Sequence, residues 1–360
     1  MKVLVVTTVH NPYDARITKR QIEALLQAGH EVTLIAPFKD FKANPPKGVR
    51  GINVARSTGR HRVKSLLQVR ALLKSHAPEQ DVVLLHDPEL LSAINQIGET
   101  PVVFDVHEDT RAALSMKPWL PDYLGDAARS IVDRLEKRAD ERATVILAET
   151  SYQSRFSPDS VVVPNSTWVP KKVSKPGVKK VVYLGSLTFA RGASTLIAVA
   201  GSLKGLSIEV DVIGSADART AALLQKAAKR GDLTWHDFVP NDEALLMLEG
   251  ALAGLCLLRD EANYRYSLPT KIVEYMAHGV PVITTPLPVA RDVVTKAGAG
   301  EVVPFDDPVA VVKAITRLRD DKSWRERCGK SGHAYAMSSL NWQHDSAKFV
   351  KTLEKAASGW

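Results

Sequence analysis

Cysteine is scarce in this chain. Only Cys256 and Cys328 occur in 360 residues, too few for a disulfide framework or a cysteine-built zinc site. Both fall in apolar or helical surroundings and read as reduced thiols of a cytoplasmic protein. Apolar runs of about 18 residues are also absent, so no segment has the length to span a bilayer. The opening Lys2–Thr8 reads as a buried first strand and not as a secretory leader. After that strand there is no G-x-G-x-x-G, which a dinucleotide dehydrogenase would need in that place.

What is present is apolar enough for two cores. Hydrophobic residues make up 45% of the chain, and its length suits two domains of roughly 160–180 residues. The net charge of +8 is local in origin. Between Lys39 and His76 stand ten basic residues (Lys39, Lys42, Lys47, Arg50, Arg56, Arg60, Arg62, Lys64, Arg70 and Lys74) against Asp40 alone. Such a patch suits an anionic surface. Nucleic acid is a poorer match, because the run holds one aromatic, Phe41, and no reader motif.

Strands and helices alternate. Strands are expected at Val3–Thr8, Val32–Ile35, Ile52–Ala55, Val82–Leu85, Val102–Asp105 and Val145–Ala148. Helices are expected from Asp14 to Gly29 and over Val63–Lys74, Pro88–Gln96 and Asp126–Arg142. Residues 166–178 lack hydrophobic periodicity and read as a linker. The pattern then restarts at Lys180–Gly185, with further strands at Ile208–Ile213, Leu233–Phe238, Leu255–Leu258, Val282–Thr284 and Glu301–Pro304. The expectation is an α/β chain of two Rossmann-like domains, 1–165 and 179–342. A terminal helix in 343–360, capped by Asp345, would cross back to the first domain. Parallel sheets bind ligands beyond the carboxyl ends of their strands, so two of them would face an interdomain cleft.

The densest signal is Ser267-Leu-Pro-Thr-Lys-Ile-Val-Glu-Tyr-Met-Ala-His-Gly-Val-Pro-Val-Ile283. Pro269 reads as the first residue of a helix, Gly279 as its end, and Val280–Ile283 as a buried strand. The N–H groups of Thr270 and Lys271 at the positive helix end suit an anion. Glu274 follows Lys271 by three residues and shares its face. A phosphate held by N–H groups, with a carboxylate for neighbouring hydroxyls, is the chemistry of a nucleotide diphosphate and its ribose.

This segment resembles the donor helix of retaining glycosyltransferases of family 4, in the bacterial branch with Pro-x-Lys-x-x-Glu-Tyr-Met-Ala. The resemblance implies the GT-B fold and a nucleoside diphosphate sugar donor, UDP-linked by preference. It gives Glu274 the ribose hydroxyls and makes the second domain the donor side. Many relatives carry a second glutamate eight positions earlier to touch the sugar; Tyr266 stands there. The loop Gly185-Ser186-Leu-Thr-Phe-Ala-Arg191-Gly192 matches the family's phosphate loop, with Ser186 where relatives often have arginine and Arg191 as the surviving cation. Gly185, Ser186, Arg191, Ser267, Thr270, Lys271 and Glu274 are thus the expected donor residues.

Three elements of the first domain resemble blocks of the same branch: His10–Ile17, His86-Asp87-Pro88-Glu89 and Asp105-Val106-His107-Glu108. Acid and histidine clusters at strand ends suggest a site. By resemblance His107 contacts the donor sugar near the scissile bond, and Asp14, Arg16, His86, Asp87 and Glu108 belong to the acceptor or sugar side. Asp14 also suits a helix cap. His86, Asp87, His107 and Glu108 are possible metal ligands, but the family's architecture needs no metal, and the chain lacks the Asp-x-Asp of metal-dependent transferases of the other common fold.

The expected activity is metal-independent, retaining transfer of a sugar to a glycan, glycolipid or small-molecule acceptor, with no cofactor. His107, Arg191 and Lys271 would be the catalytic groups. Alternatives are a sugar-nucleotide 2-epimerase of the same fold and a binding protein without catalysis. The acceptor is expected on the first-domain side, where residues 39–76 would meet the inner face of an anionic membrane. On α-helical spacing, Val63, Leu66, Leu67 and Leu73 form one apolar side, with Arg62, Lys64, Arg70 and Lys74 mostly outside it.

Overall fold

A computed structural model of the chain describes residues 1–107 and 122–359. It divides into two compact units, Met1–Asn165 with Gln343–Trp360, and Ser166–Trp342.

The first unit is built on a parallel sheet. Its strands are β1 (Lys2–Val6), β2 (Glu31–Ala36), β3 (Val49–Asn53), β4 (Val82–Leu85), β5 (Val102–Val106), β6 (Thr144–Leu147) and β7 (Val161–Val162), in the order β3-β2-β1-β4-β5-β6-β7. Central strands are apolar at nearly every position, because helices cover both faces of a parallel sheet; β4 is buried throughout. Its helices include α1 (Glu23–Gln27), α2 (Arg62–His76) and α3 (Asp122–Arg142). Strand order reverses between β1 and β4, which places the ligand-binding crevice at the ends of these two strands. Thr7-Thr8 and His86-Asp87 follow them directly.

Several local expectations shift. The helix expected from Asp14 instead opens with a π turn, Ile17–Ile22, before α1. Asp14 still caps the turn: its Oδ1 accepts the N–H groups of Arg16 and Ile17 at 2.9 and 3.0 Å. Pro88–Gln96 winds as 3₁₀ helix. β3 begins earlier than expected, since its pairing with β2 runs from Val32–Val49 to Ala36–Asn53. The expected apolar side of α2 is corrected: Val63 and Leu67 are 70% and 61% exposed, while Ser65, Val69 and Leu73 are buried. Positions 65, 69 and 73 form one stripe at helical spacing. Ser65 is tolerated there because its hydroxyl donates to the Ala55 carbonyl at 2.7 Å.

The second unit carries β8 (Lys180–Leu184), α4 (Ala193–Lys204), β9 (Glu209–Ile213), α5 (Ala218–Lys229), β10 (Thr234–Trp235), α6 (Asn241–Leu246), β11 (Ala253–Cys256), α7 (Thr270–Ala277), β12 (Val282–Thr284), α8 (Pro288–Ala297), β13 (Gly300–Val302), α9 (Pro308–Asp320) and α10 (Lys322–Ser339). The sheet is again parallel, β10-β9-β8-β11-β12-β13, with its reversal between β8 and β11. The segment expected as a linker, 166–178, packs within this unit. Thr167 and Val169 are buried, and Gly177 N–H donates to Gly250 at 2.9 Å. The last helix, α11 (Trp342–Ala357), starts three residues before the expected cap, leaving Asp345 in its first turn. From Gln343 on it groups with the first unit, where His30 Nε2 meets Glu354 Oε1 at 3.1 Å. No helix among the described residues is long and apolar enough to cross a membrane.

Candidate functional site

In the second unit the candidate site forms where β8 and β11 end. Pro269 is not the first helical residue but the residue before it, with φ −61° and ψ 123°. Its carbonyl accepts the Ile272 N–H at 2.9 Å. The α-helical ladder thus leaves the N–H groups of Thr270 and Lys271, the first two of α7, for another acceptor.

Lys271 is buried, and its Nζ has no hydrogen-bond partner among the described residues. It rests 3.5 Å from the ring centroid of Tyr183. Desolvation is the main reason its pKa falls to about 7; Arg191 pushes the same way, while Cys256 and Glu274 oppose it. A lone ammonium away from water is costly, and a bound anion would relieve that cost.

Gly185, at φ +98°, turns the chain out of β8, and a Cβ placed there would stand 3.9 Å from Lys271 Nζ. Gly214 packs so closely that a Cβ of its own would collide with the Gly185 carbonyl. Arg191 Nη1 donates to the Ser186 carbonyl at 3.3 Å. Glu274 is buried one turn into α7, and its Oε1 accepts Asn241 Nδ2 at 3.1 Å. The fold therefore gathers Gly185, Ser186, Arg191, Lys271 and Glu274. Ser267, half-buried, donates instead to Asn263 O at 3.4 Å. Tyr266 is exposed.

The first unit holds a denser polar cluster at the ends of β1, β4 and β5. Asp105 is fully buried, and Arg16 grips it with Nη2 at 2.6 Å from Oδ1 and Nε at 2.8 Å from Oδ2. Gln21 Nε2 adds a third donor at 3.0 Å. Burial would raise this carboxyl's pKa, but Arg16, His86 and His107 overcome it and hold it well below the usual range. The π turn explains how Arg16 and Gln21, five residues apart, reach one carboxylate: its wider coil brings i and i+5 nearly into line, and Gln21 N–H bonds Arg16 O at 3.0 Å.

Two expected ligand contacts are committed elsewhere. The remaining N–H groups of Arg16 donate to Val163 O, Pro164 O and Asn165 Oδ1, so all five are used. Asp87, also buried, accepts the Thr7 hydroxyl and the N–H and hydroxyl of Thr8. Through these bonds both residues hold the framework of the first unit together. His86 is buried with Nδ1 3.3 Å from Asp105 Oδ2, too poorly aligned for a hydrogen bond. His107 is half-buried and meets His10, Nε2 to Nε2, at 3.0 Å. Glu108 lies outside the described residues.

His86, Asp105 and His107 are donors of a type that could hold a metal ion. Here Asp105 already neutralises a buried guanidinium, and a metal would compete with Arg16 for it. Sequence reasoning placed His10 and Asp105 in candidate blocks without a role of their own and did not nominate Tyr183 or Asn241. For Asp105 a signal existed: an acid inside the apolar strand Val102-Val-Phe-Asp-Val106 demands a buried cation.

Two parallel-sheet units with sites at both strand-order reversals define a GT-B architecture. Family models extend this to activity. The description "Glycosyl transferases group 1" matches residues 165–335, and "Glycosyl transferase 4-like domain" matches 15–173. The chain is a glycosyltransferase of the GT-B class. It is 24% identical over 356 residues to a phosphatidyl-myo-inositol mannosyltransferase of Mycolicibacterium smegmatis, covering 92% of this chain and 87% of the relative. In fold it is similar to sucrose-phosphate synthase from Thermosynechococcus elongatus (TM-score 0.79, 16% identity, 100% of both chains). It is similar also to Anabaena HepE in complex with UDP-glucose (TM-score 0.74, 13% identity, 99% of this chain and 100% of that one).

Proposed function

We propose that the chain transfers a sugar, with retention and without a metal, from a UDP-linked donor to an acceptor at an anionic lipid surface. The observation that carries this reading is Lys271 at the N-terminus of α7, a buried ammonium without a hydrogen-bond partner among the described residues. Such a group fits a diphosphate. Departure of the diphosphate is the costly event, because charge builds on its β-phosphate. Arg191, Lys271 and the N–H groups of Thr270 and Lys271 would stabilise that charge where it develops. Glu274 would accept the ribose hydroxyls and His107 would contact the sugar. The acceptor would attack the face the diphosphate leaves, with the departing phosphate taking its proton. The UDP-glucose complex of the Anabaena neighbour supports the choice of donor.

The lipid surface is favoured by exposed Val63 and Leu67, standing among exposed Arg60, Arg62 and Lys64. Apolar side chains beside cations suit an anionic bilayer interface. A mannosyltransferase relative named for phosphatidyl-myo-inositol is consistent with this.

The test is product analysis with UDP-, GDP-, ADP- and TDP-sugars, with and without EDTA. Transfer or slow donor hydrolysis with an anomer-retained product, unaffected by chelation, is expected. An isomerised sugar would replace this reading with a 2-epimerase, binding without turnover would leave a sugar-nucleotide-binding protein, and loss of activity in EDTA would overturn metal independence.

A further inference from the structure

His10 and His107 meet Nε2 to Nε2 at 3.0 Å, their ring centroids 4.7 Å apart. Two lone pairs would repel at that distance and two N–H groups would clash, so one hydrogen lies between the rings. The surroundings decide which ring carries it. His107 Nδ1 faces the Asp105 carbonyl oxygen at 3.2 Å and Asp105 Oδ2 at 3.5 Å. Both are acceptors only, so Nδ1 holds the hydrogen and the neutral ring offers a lone pair at Nε2. His10 Nε2 lies 3.4 Å from Asp87 Oδ1, an acceptor, as well as beside His107. The hydrogen between the rings therefore belongs to His10.

Asp87 itself is fixed. Beyond Thr7 and Thr8 it takes the Val9 N–H at 3.3 Å, so the turn that carries His10 is tied to the carboxylate that aims it. On the other side Asp105, clamped by Arg16 and Gln21, sets the far edge of His107. His10 Nδ1 faces Asp14 Oδ2 at 4.0 Å, so a carboxylate stands at each of its ring nitrogens and Nε2 keeps its hydrogen.

We propose that His10 is a further positioning residue for sugar transfer, whose Nε2–H, aimed by Asp87, orients His107 and fixes its Nδ1–H tautomer. This rests on the reading that His107 contacts the donor sugar. A substrate hydroxyl, donor and acceptor at once, can replace this direct bond by accepting from His10 Nε2–H and donating to the His107 Nε2 lone pair.

The test compares His10→Ala with His10→Gln, whose amide nitrogen sits near the ring Nε2 position, in the full chain. Ring-nitrogen NMR of the histidine-labelled wild type should show His107 as the Nδ1–H tautomer, becoming a mixture in His10→Ala. Turnover should fall about tenfold or more in His10→Ala, the scale of a misplaced catalytic contact. It should return to within about threefold of wild type in His10→Gln, with UDP affinity unchanged in both. An Nε2–H tautomer of His107 in the wild type would overturn the proposal. So would wild-type turnover in His10→Ala, or a His10→Gln as slow as His10→Ala. If His10→Ala fails to fold, the wild-type tautomer and His10→Gln decide alone. A wild type inert toward every nucleotide sugar would instead overturn the functional reading, and the His10 role with it, while the tautomer would still report whether the pair exists.

Discussion

Lys271 Nζ stands 3.5 Å from the centroid of the Tyr183 ring, whose hydroxyl turns away to donate to the Ser186 carbonyl at 3.0 Å. An ammonium over a π face keeps some electrostatic compensation while its hydrogen-bonding capacity stays open for a ligand. The same burial lowers its pKa to about 7.

Donor affinity should therefore depend on pH. A bound diphosphate favours the protonated form, so its binding takes up a proton whenever free Lys271 is neutral. Affinity is highest below pH 7 and should fall by up to about tenfold per pH unit above it. Calorimetry of UDP binding in buffers of differing ionisation enthalpy measures the uptake directly. A heat independent of buffer at pH 8 would show that Lys271 is already charged.

Glu274→Ala should weaken UDP binding by about 1.5–3 kcal/mol, the scale of a hydrogen bond to a charged group. Asn241 Nδ2 would lose its carboxylate partner, yet the unit should stay folded. A titration with unchanged affinity would remove Glu274 from the ribose.

Arg191→Ala should lower kcat more than it raises the donor KM, since charge on the diphosphate peaks during departure. If only KM moves, Arg191 binds the ground state and does not assist departure.

Asp105→Asn keeps the shape of the side chain but leaves Arg16 buried without a counter-charge, which should cost about 3–5 kcal/mol. Because the folded Asp105 carboxyl sits below its usual pKa, its contribution is present above the ordinary carboxylate range and is lost as pH falls through the depressed value. Wild type and variant should thus converge in thermal stability on acidification. A constant gap down to low pH would contradict the assignment.

The protein should sediment with phosphatidylglycerol–phosphatidylcholine vesicles at low salt through its first unit, each basic residue near the surface contributing on the order of 1 kcal/mol. Reversing Arg60, Arg62 and Lys64 to glutamate, or changing Val63 and Leu67 to serine, should abolish this and leave UDP affinity intact. A wild type that ignores such vesicles would point to a soluble acceptor.

Local chemistry makes the donor helix legible in the sequence itself. Pro269, Gly279 at φ +67° and the apolar run into β12 act within a few residues, so α7 falls where its sequence indicates. The alternation that sets the two sheets is equally local, because a strand buried on both faces must be apolar along its length. Tertiary packing decided the rest. The buried stripe of α2 joins apolar Val69 and Leu73 to Ser65, whose place inside depends on the Ala55 carbonyl that receives its hydroxyl. The π turn is spelled by no residue of Ile17–Ile22; it accompanies the double grip of Arg16 and Gln21 on Asp105, more than 80 positions away. The depressed Lys271 pKa arises from exclusion of water, with Arg191 of a distant loop adding to it. The tautomers of His10 and His107 follow from aspartates that only the folded sheet brings beside them. Charge, protonation and hydrogen-bond direction depend on what surrounds a group, and for these residues the surroundings come from distant parts of the chain.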